Sequence, residues 1–115
     1  MKLYTYKNCG TCRKAVKYLE SRGLEIVAIP IRDQPPSKAE LKKMLKIYDG
    51  ELIKLFNTSG QDYRALDMKN RLPSMSAEEA IDLLSQNGNL IKRPFLLTDR
   101  SGTVGFREPD WDSLL

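Results

Sequence analysis

Two cysteines separated by two residues, Cys9-Gly10-Thr11-Cys12, stand at the junction of a strand pattern and a helix pattern, and that junction limits the folds open to the chain. Before it, Leu3 and Thr5 alternate with Tyr4 and Tyr6, the period-two signal of a strand over residues 2–6. After it, Cys12, Ala15, Val16 and Leu19 recur at i, i+3, i+4 and i+7, with Arg13, Lys14 and Lys17 on the other side, as in an amphipathic helix. Gly23 supplies a stop. Ile26, Val27, Ile29 and Ile31 mark a second strand over residues 25–31. One helix between two strands is a βαβ unit, so the strands are expected to pair in parallel.

The middle of the chain reads as helical. Ser37-Lys38-Ala39-Glu40 and Ser76-Ala77-Glu78-Glu79 are capping boxes, each leading an apolar periodicity: Leu41, Met44, Leu45 and Tyr48, then Ala80, Leu83 and Leu84 up to a stop near Gly88. Between them lie a short helical piece at 51–56, the turn Asn57-Thr58-Ser59-Gly60, and a further short helix around Tyr63 and Leu66. Residues 37–88 carry no strand signal. Beyond them Phe95-Leu96-Leu97-Thr98, a turn at 99–102 and Thr103-Val104-Gly105-Phe106 read as a hairpin, and the segment from Glu108 as a closing helix with Trp111, Leu114 and Leu115 packing inward. The order β-α-β, helices, β-β-α is that of an α/β thioredoxin-like fold with a central helical insertion. At 115 residues the chain suits one domain over 1–115.

Composition removes several chemistries. There is no histidine, which excludes Ser-His-Asp and Cys-His catalysis. Two cysteines alone do not close a four-ligand zinc site, so no metal is expected. No apolar run has the roughly 18 residues of a membrane span, and the first residues lack an apolar core of signal-peptide length, so a cytoplasmic protein away from membranes is expected. The net charge of +4 is concentrated at the start, where Lys2, Lys7, Arg13, Lys14, Lys17 and Arg22 face Glu20 alone. This favours anions near the first helix. There is no helix-turn-helix or basic-aromatic signature, so direct reading of DNA bases is not expected.

In a protein without secretion signals, C-x-x-C reads as redox chemistry. The reactive species is the thiolate, and a thiol with a pKa of about 8.5 supplies only a few per cent of it at neutral pH. Cys9, in the loop before the helix, faces unpaired N–H groups and the positive end of the helix dipole, with Lys7 and Arg13 adding charge. Cys9 is therefore the candidate nucleophile. Cys12, one turn in, is the candidate resolving thiol, although its place on the apolar face also suits a core cysteine. The same N–H groups suit a tetrahedral oxyanion.

Five segments together resemble the arsenate reductases (ArsC) and the redox regulator Spx: the run from Tyr4 through Cys9-Gly10-Thr11-Cys12 to Ala15, Pro35-Pro36-Ser37, Phe56-Asn57-Thr58-Ser59-Gly60, Leu90-Ile91-Lys92-Arg93-Pro94, and Gly105-Phe106-Arg107. The resemblance covers nearly the whole chain in order. It implies a thioredoxin-like sheet with a helical insertion and a cis peptide at Arg93-Pro94. It further implies that the cysteine at position 9 attacks arsenate, with glutathione and glutaredoxin, or thioredoxin, as the electron donor and no cofactor held by the protein. The expected oxyanion ligands are Arg93 and Arg107, joined by Arg13 beside the thiol loop. A third family arginine falls near residue 57, where this chain has Asn57, and position 12 is a serine in that branch where this chain has Cys12.

Both departures resemble the Spx-like branch, whose C-x-x-C closes into a disulfide as a switch and whose partner is RNA polymerase. That branch carries a polymerase-contacting glycine in a loop corresponding to Asp49-Gly50-Glu51, and Gly50 stands there. The partners implied are a small oxyanion or a protein thiol in one branch and polymerase in the other.

Overall fold

The computed structural model describes all 115 residues. Strand β1 (Lys2–Thr5) runs into helix α1 (Gly10–Ser21), which returns the chain to β2 (Val27–Pro30). The insertion follows: α2 (Lys38–Ile47), a 3₁₀ turn at Leu52–Leu55, α3 (Gln61–Ala65), α4 (Met68–Arg71), a 3₁₀ turn at Leu72–Ser74, α5 (Ala77–Gln86) and a 3₁₀ turn at Gly88–Leu90. The hairpin β3 (Phe95–Leu97) and β4 (Gly102–Val104) and helix α6 (Glu108–Leu114) complete the chain. The sheet order is β2-β1-β3-β4. β1 pairs with β2 in parallel and with β3 antiparallel, as the βαβ and hairpin patterns require.

Because side chains alternate across a strand, the sheet sorts its residues between two cores. Leu3 and Leu96 point to one face, where Ala15 and Leu19 of α1 and Trp111 of α6 cover them. Tyr4, Phe95 and Leu97 point to the other, where the insertion covers them with Leu41, Met44, Ile81 and Leu84. The inserted block is thus the second layer of the sandwich. Both capping boxes form, with the Ser37 hydroxyl accepting from the Glu40 N–H at 3.1 Å and the Ser76 hydroxyl from the Glu79 N–H at 3.1 Å. At the β4 edge the Val104 N–H donates to the Tyr48 hydroxyl at 3.0 Å, which occupies one donor of that edge strand.

Several boundaries differ from the sequence expectation. The second strand is Val27–Pro30, shorter than 25–31, because its ladder extends only along the four residues of β1. Gly10 and Thr11 are already helical, with Cys9 itself the N-cap. Residues 37–88 are not wholly without extended pairing: Phe56 bridges Ile91. The hairpin strands stop at Leu97 and Val104, one and two residues short of expectation. Gly105 leaves the sheet at φ +72°, and Phe106 turns away to meet Trp111 edge to face with ring centroids 4.9 Å apart. Helix α4 and the 3₁₀ turns at 72–74 and 88–90 had no periodic signal to announce them.

Candidate functional site

Register assembles the site. Parallel pairing sets Thr5 opposite Pro30, so Tyr6 and the thiol loop leave the sheet at the same end as Ile31 and Arg32. Antiparallel pairing sets Tyr4 opposite Phe95, so Arg93-Pro94 enters β3 at that end too. The insertion reaches it through paired backbone: the Asn57 N–H donates to the Leu90 carbonyl and the Lys92 N–H to the Leu55 carbonyl, both at 2.8 Å. Gly88 lies flat against β2's exit, since a Cβ there would sit 1.8 Å from the Ile31 carbonyl oxygen. That close approach brings Asn89 beside Arg32. The C-terminal ends of the parallel strands are where open α/β sheets place their ligands.

Cys9 caps α1 with its sulfur. Its backbone is extended (φ −97°, ψ 117°) and the Cys12 N–H donates to Cys9 Sγ at 3.4 Å. Cys9 is half-buried and Cys12 fully buried, and neither is in a disulfide. Burial pushes the Cys9 thiol up. The Cys12 N–H, the Cys12 thiol, the Arg93 charge and the Thr11 N–H outweigh it, leaving the Cys9 pKa below its ordinary value. Cys12 goes the other way. Burial raises it, the adjacent Cys9 raises it further, and bonds with Thr5 and Tyr6 offset this only in part. The pair is divided into a thiol whose pKa is lowered and an adjacent, more deeply buried thiol whose pKa is raised.

The expected arginines take three different positions. The Arg93-Pro94 peptide is cis, and Arg93 acts on Cys9 through its charge. Its Nη1 is buried with no hydrogen-bond partner in the protein. Arg13 donates to the Lys7 carbonyl at 3.1 Å, bracing the thiol loop, and lines a groove of about 1030 Å³ that includes Cys12, Val16 and the outer edge of β2. Arg107 turns to solvent, its side chain 79% exposed and 3.8 Å from Asp110, and it lines neither that groove nor the cavity beside Arg93.

That cavity, about 220 Å³, is bounded by Tyr6, Arg32, Asn57, Asn89 and Arg93 among others. The Arg32 and Arg93 guanidiniums lie 4.9 and 4.8 Å from the Tyr6 ring centroid, within cation–π range. The Tyr6 hydroxyl accepts from Asn8 at 3.1 Å and from Arg32 at 2.8 Å. The Asn8 bond and the charges of Arg32 and Arg93 hold its pKa below the usual phenol value against an opposing effect of burial. Tyr6, Arg32 and Asn89 escaped the sequence reading. The available signal was positional: Tyr6 and Arg32 each follow the last residues of a parallel strand.

A four-stranded mixed sheet covered by helices on both faces, with a thiol pair at the head of its first helix and a cis-proline entering its third strand, defines a thioredoxin-like α/β protein with an inserted helical layer. The chain belongs to the ArsC family, whose profile matches residues 4–114. It is similar to the Bacillus subtilis (strain 168) protein YusI, at 49% identity over 109 residues, covering 95% of this chain and 92% of that one. It is also similar to the global transcriptional regulator Spx of the same organism, at 26% identity over 94% of this chain and 81% of Spx. Among solved structures, a possible arsenate reductase from Streptococcus mutans UA159 superposes with a TM-score of 0.89 at 39% identity, covering 96% of each chain. The family therefore includes reductase-like and regulator-like relatives.

Proposed function

We propose that the protein is a thiol-dependent oxidoreductase in which Cys9 attacks the substrate and Cys12 resolves the adduct. The observation that carries this reading is the division of the pair: Cys9 Sγ capping α1 and accepting from the Cys12 N–H under a lowered pKa, and the buried Cys12 thiol under a raised one. With arsenate as substrate, the Cys9 thiolate bonds to arsenic and an arsenate oxygen leaves as water after taking up two protons. Cys12, having given up its proton to solvent, then attacks Cys9 Sγ. The sulfur–arsenic bond breaks with its electron pair going to arsenic, so As(V) becomes As(III) and the cysteines, losing two electrons, form a disulfide. Glutathione with glutaredoxin, or thioredoxin, returns the pair to thiols. Incubating reduced protein with arsenate and each donor system, and following arsenite, tests the substrate. Turnover with either system is expected, and none with a correctly folded protein removes arsenate from the proposal. Mass spectrometry tests the chemistry itself: oxidised protein should be lighter by two hydrogens, and Cys9→Ser and Cys12→Ser should each abolish that change.

A second reading has its own support. Asp49 and Gly50 adopt left-handed backbone (φ 56° and 82°) in an exposed turn, and the cations of α1 are solvent-facing. An Spx-like regulator would use that turn and the Cys9–Cys12 switch on RNA polymerase. Polymerase recovered with one redox form and not the other favours this reading. Recovery with neither excludes it.

A further inference from the structure

The cavity beside the thiol loop holds more positive charge and more idle donors than a structural role requires. Strand order explains how. β1 lies between β2 and β3, so Tyr6 at its exit is approached by Arg32 from one neighbour and by Arg93 from the other. Arg93 buries Nη1 without a partner in the protein, an arrangement that a charged donor avoids unless a ligand completes it. Arg32 gives its Nη1 to the Tyr6 hydroxyl and keeps its other N–H groups. The hydroxyl already accepts twice, from Asn8 and Arg32, so what it has left to offer is its own proton. Neutral amides complete the wall: Asn57 and Asn89, with Gln61. The one acid among the lining residues, Asp62, is engaged, accepting from the Asn87 amide at 3.0 Å. At about 220 Å³ the space is far larger than the roughly 10–15 Å³ that admits one water.

We propose that this cavity is an oxyanion-group subsite with Arg32 as its second cation: Arg32, Arg93 and the Tyr6 hydroxyl together hold a carboxylate or a tetrahedral oxyanion on the molecule that reacts at Cys9. Two guanidinium groups match the two or more oxygens of such a group, and the phenol adds a third direction of donation. Arg93 is shared between the subsite and the thiolate, so binding and reactivity are linked. An anion held by Arg93 offsets part of the positive charge felt at Cys9, shifts the sulfur towards its protonated form and slows its alkylation. The subsite rests on the reading of Cys9 as nucleophile. Its test uses binding, so the two fail separately.

The experiment measures iodoacetamide alkylation of Cys9 in the full chain by mass spectrometry while titrating two probes, inorganic phosphate and S-methylglutathione, against sodium chloride at equal ionic strength. The first carries a free tetrahedral oxyanion, and the second carries carboxylates on an unreactive thioether. Saturable slowing by either probe and not by chloride is expected, and whichever probe acts identifies the source of the anionic group. Arg32→Met keeps the stem over the ring and removes the cation, and should weaken the half-saturating concentration at least tenfold. Arg32→Lys should fall between. Amide NMR shifts of Asn57 and Asn89 should saturate at the same concentrations. Slowing equal to that of chloride, or half-saturation unchanged in both Arg32 variants, overturns the subsite. A subsite that binds while oxidation never lightens the protein overturns only the role of Cys12.

Discussion

At the scale of single residues, the proposed chemistry depends on how one sulfur differs from another only three positions away. Cys9 has the N–H groups of α1's first turn and the Arg93 charge, while Cys12 has burial and a neighbouring sulfur. Limiting iodoacetamide at pH 7 should therefore label Cys9 first, and Cys12→Ser should leave that rapid labelling in place while preventing the internal disulfide. Equal rates, or faster reaction at Cys12, would overturn the assignment of roles. The pH profile gives the sign. A thiol with a lowered pKa stays reactive as pH falls below the ordinary thiol range, and the midpoint of the Cys9 alkylation profile should lie there. In Arg93→Met the favourable charge is gone and the midpoint should move up; an unmoved midpoint would show that Arg93 does not act on Cys9. The cis Arg93-Pro94 peptide came only through the family resemblance, whereas the place of Cys9 and Cys12 at the head of the first helix was legible in the sequence because spacing is local. Arg32 was not, because its partners come from other strands and nothing in residues 30–34 announces them.

At the scale of elements, α2 shows a local signal serving a long-range contact. The capping box at Ser37 and Glu40 is readable from four consecutive residues. The same Glu40 carboxylate also accepts from the Tyr4 hydroxyl at 2.8 Å and pairs with Lys2 at 3.1 Å, which ties α2 to β1. Burial pushes the Glu40 carboxyl up, but the Ser37 N–H, Tyr4 and Lys2 together hold its pKa below the usual carboxyl value. A carboxyl depressed in the folded state contributes stability that is present above its unfolded value and is lost as pH falls through the folded one. Unfolding free energy should accordingly decline below about pH 4.5, with a shallower decline in Glu40→Gln; identical acid limbs would show that Glu40 does not couple. Ser37→Ala removes one side of the box and should cost about 1 kcal/mol in denaturant unfolding. Long periodic helices were legible for the same reason as the caps. The short elements at 68–74 and 88–90 were not, because so few residues carry no period, and packing against α3 and the exit of β2 decides their form.

At the scale of the molecule, the insertion does two jobs: it covers one face of the sheet and it carries the wall of the site to the strand ends. Element order, the parallel pairing of β1 with β2 and the closing hairpin followed from the sequence, since a βαβ start and a hairpin finish admit few arrangements. The way the insertion docks did not, because it includes a close backbone contact between residues more than fifty positions apart. Gly88 is that contact, with no room for a Cβ against the Ile31 carbonyl. Gly88→Ala must push the segment carrying Asn89 and Arg93 away from β2, and the obstacle is backbone, which cannot rotate aside as a side chain would. Overpacking of this kind costs about 1–3 kcal/mol, which for a domain of this size lowers the melting midpoint by at least about 4 °C. The same displacement separates Arg93 from Arg32, so the anion dependence of Cys9 alkylation should weaken in the same variant. Gly23→Ala is the control. Gly23 also resists substitution, by its φ of +66°, but nothing lies within 4 Å of the added carbon and the site is elsewhere. It should lower stability while leaving anion protection of Cys9 at its parent concentration. If Gly88→Ala lost stability and kept full protection, the insertion would be a cover for the sheet and no part of the site.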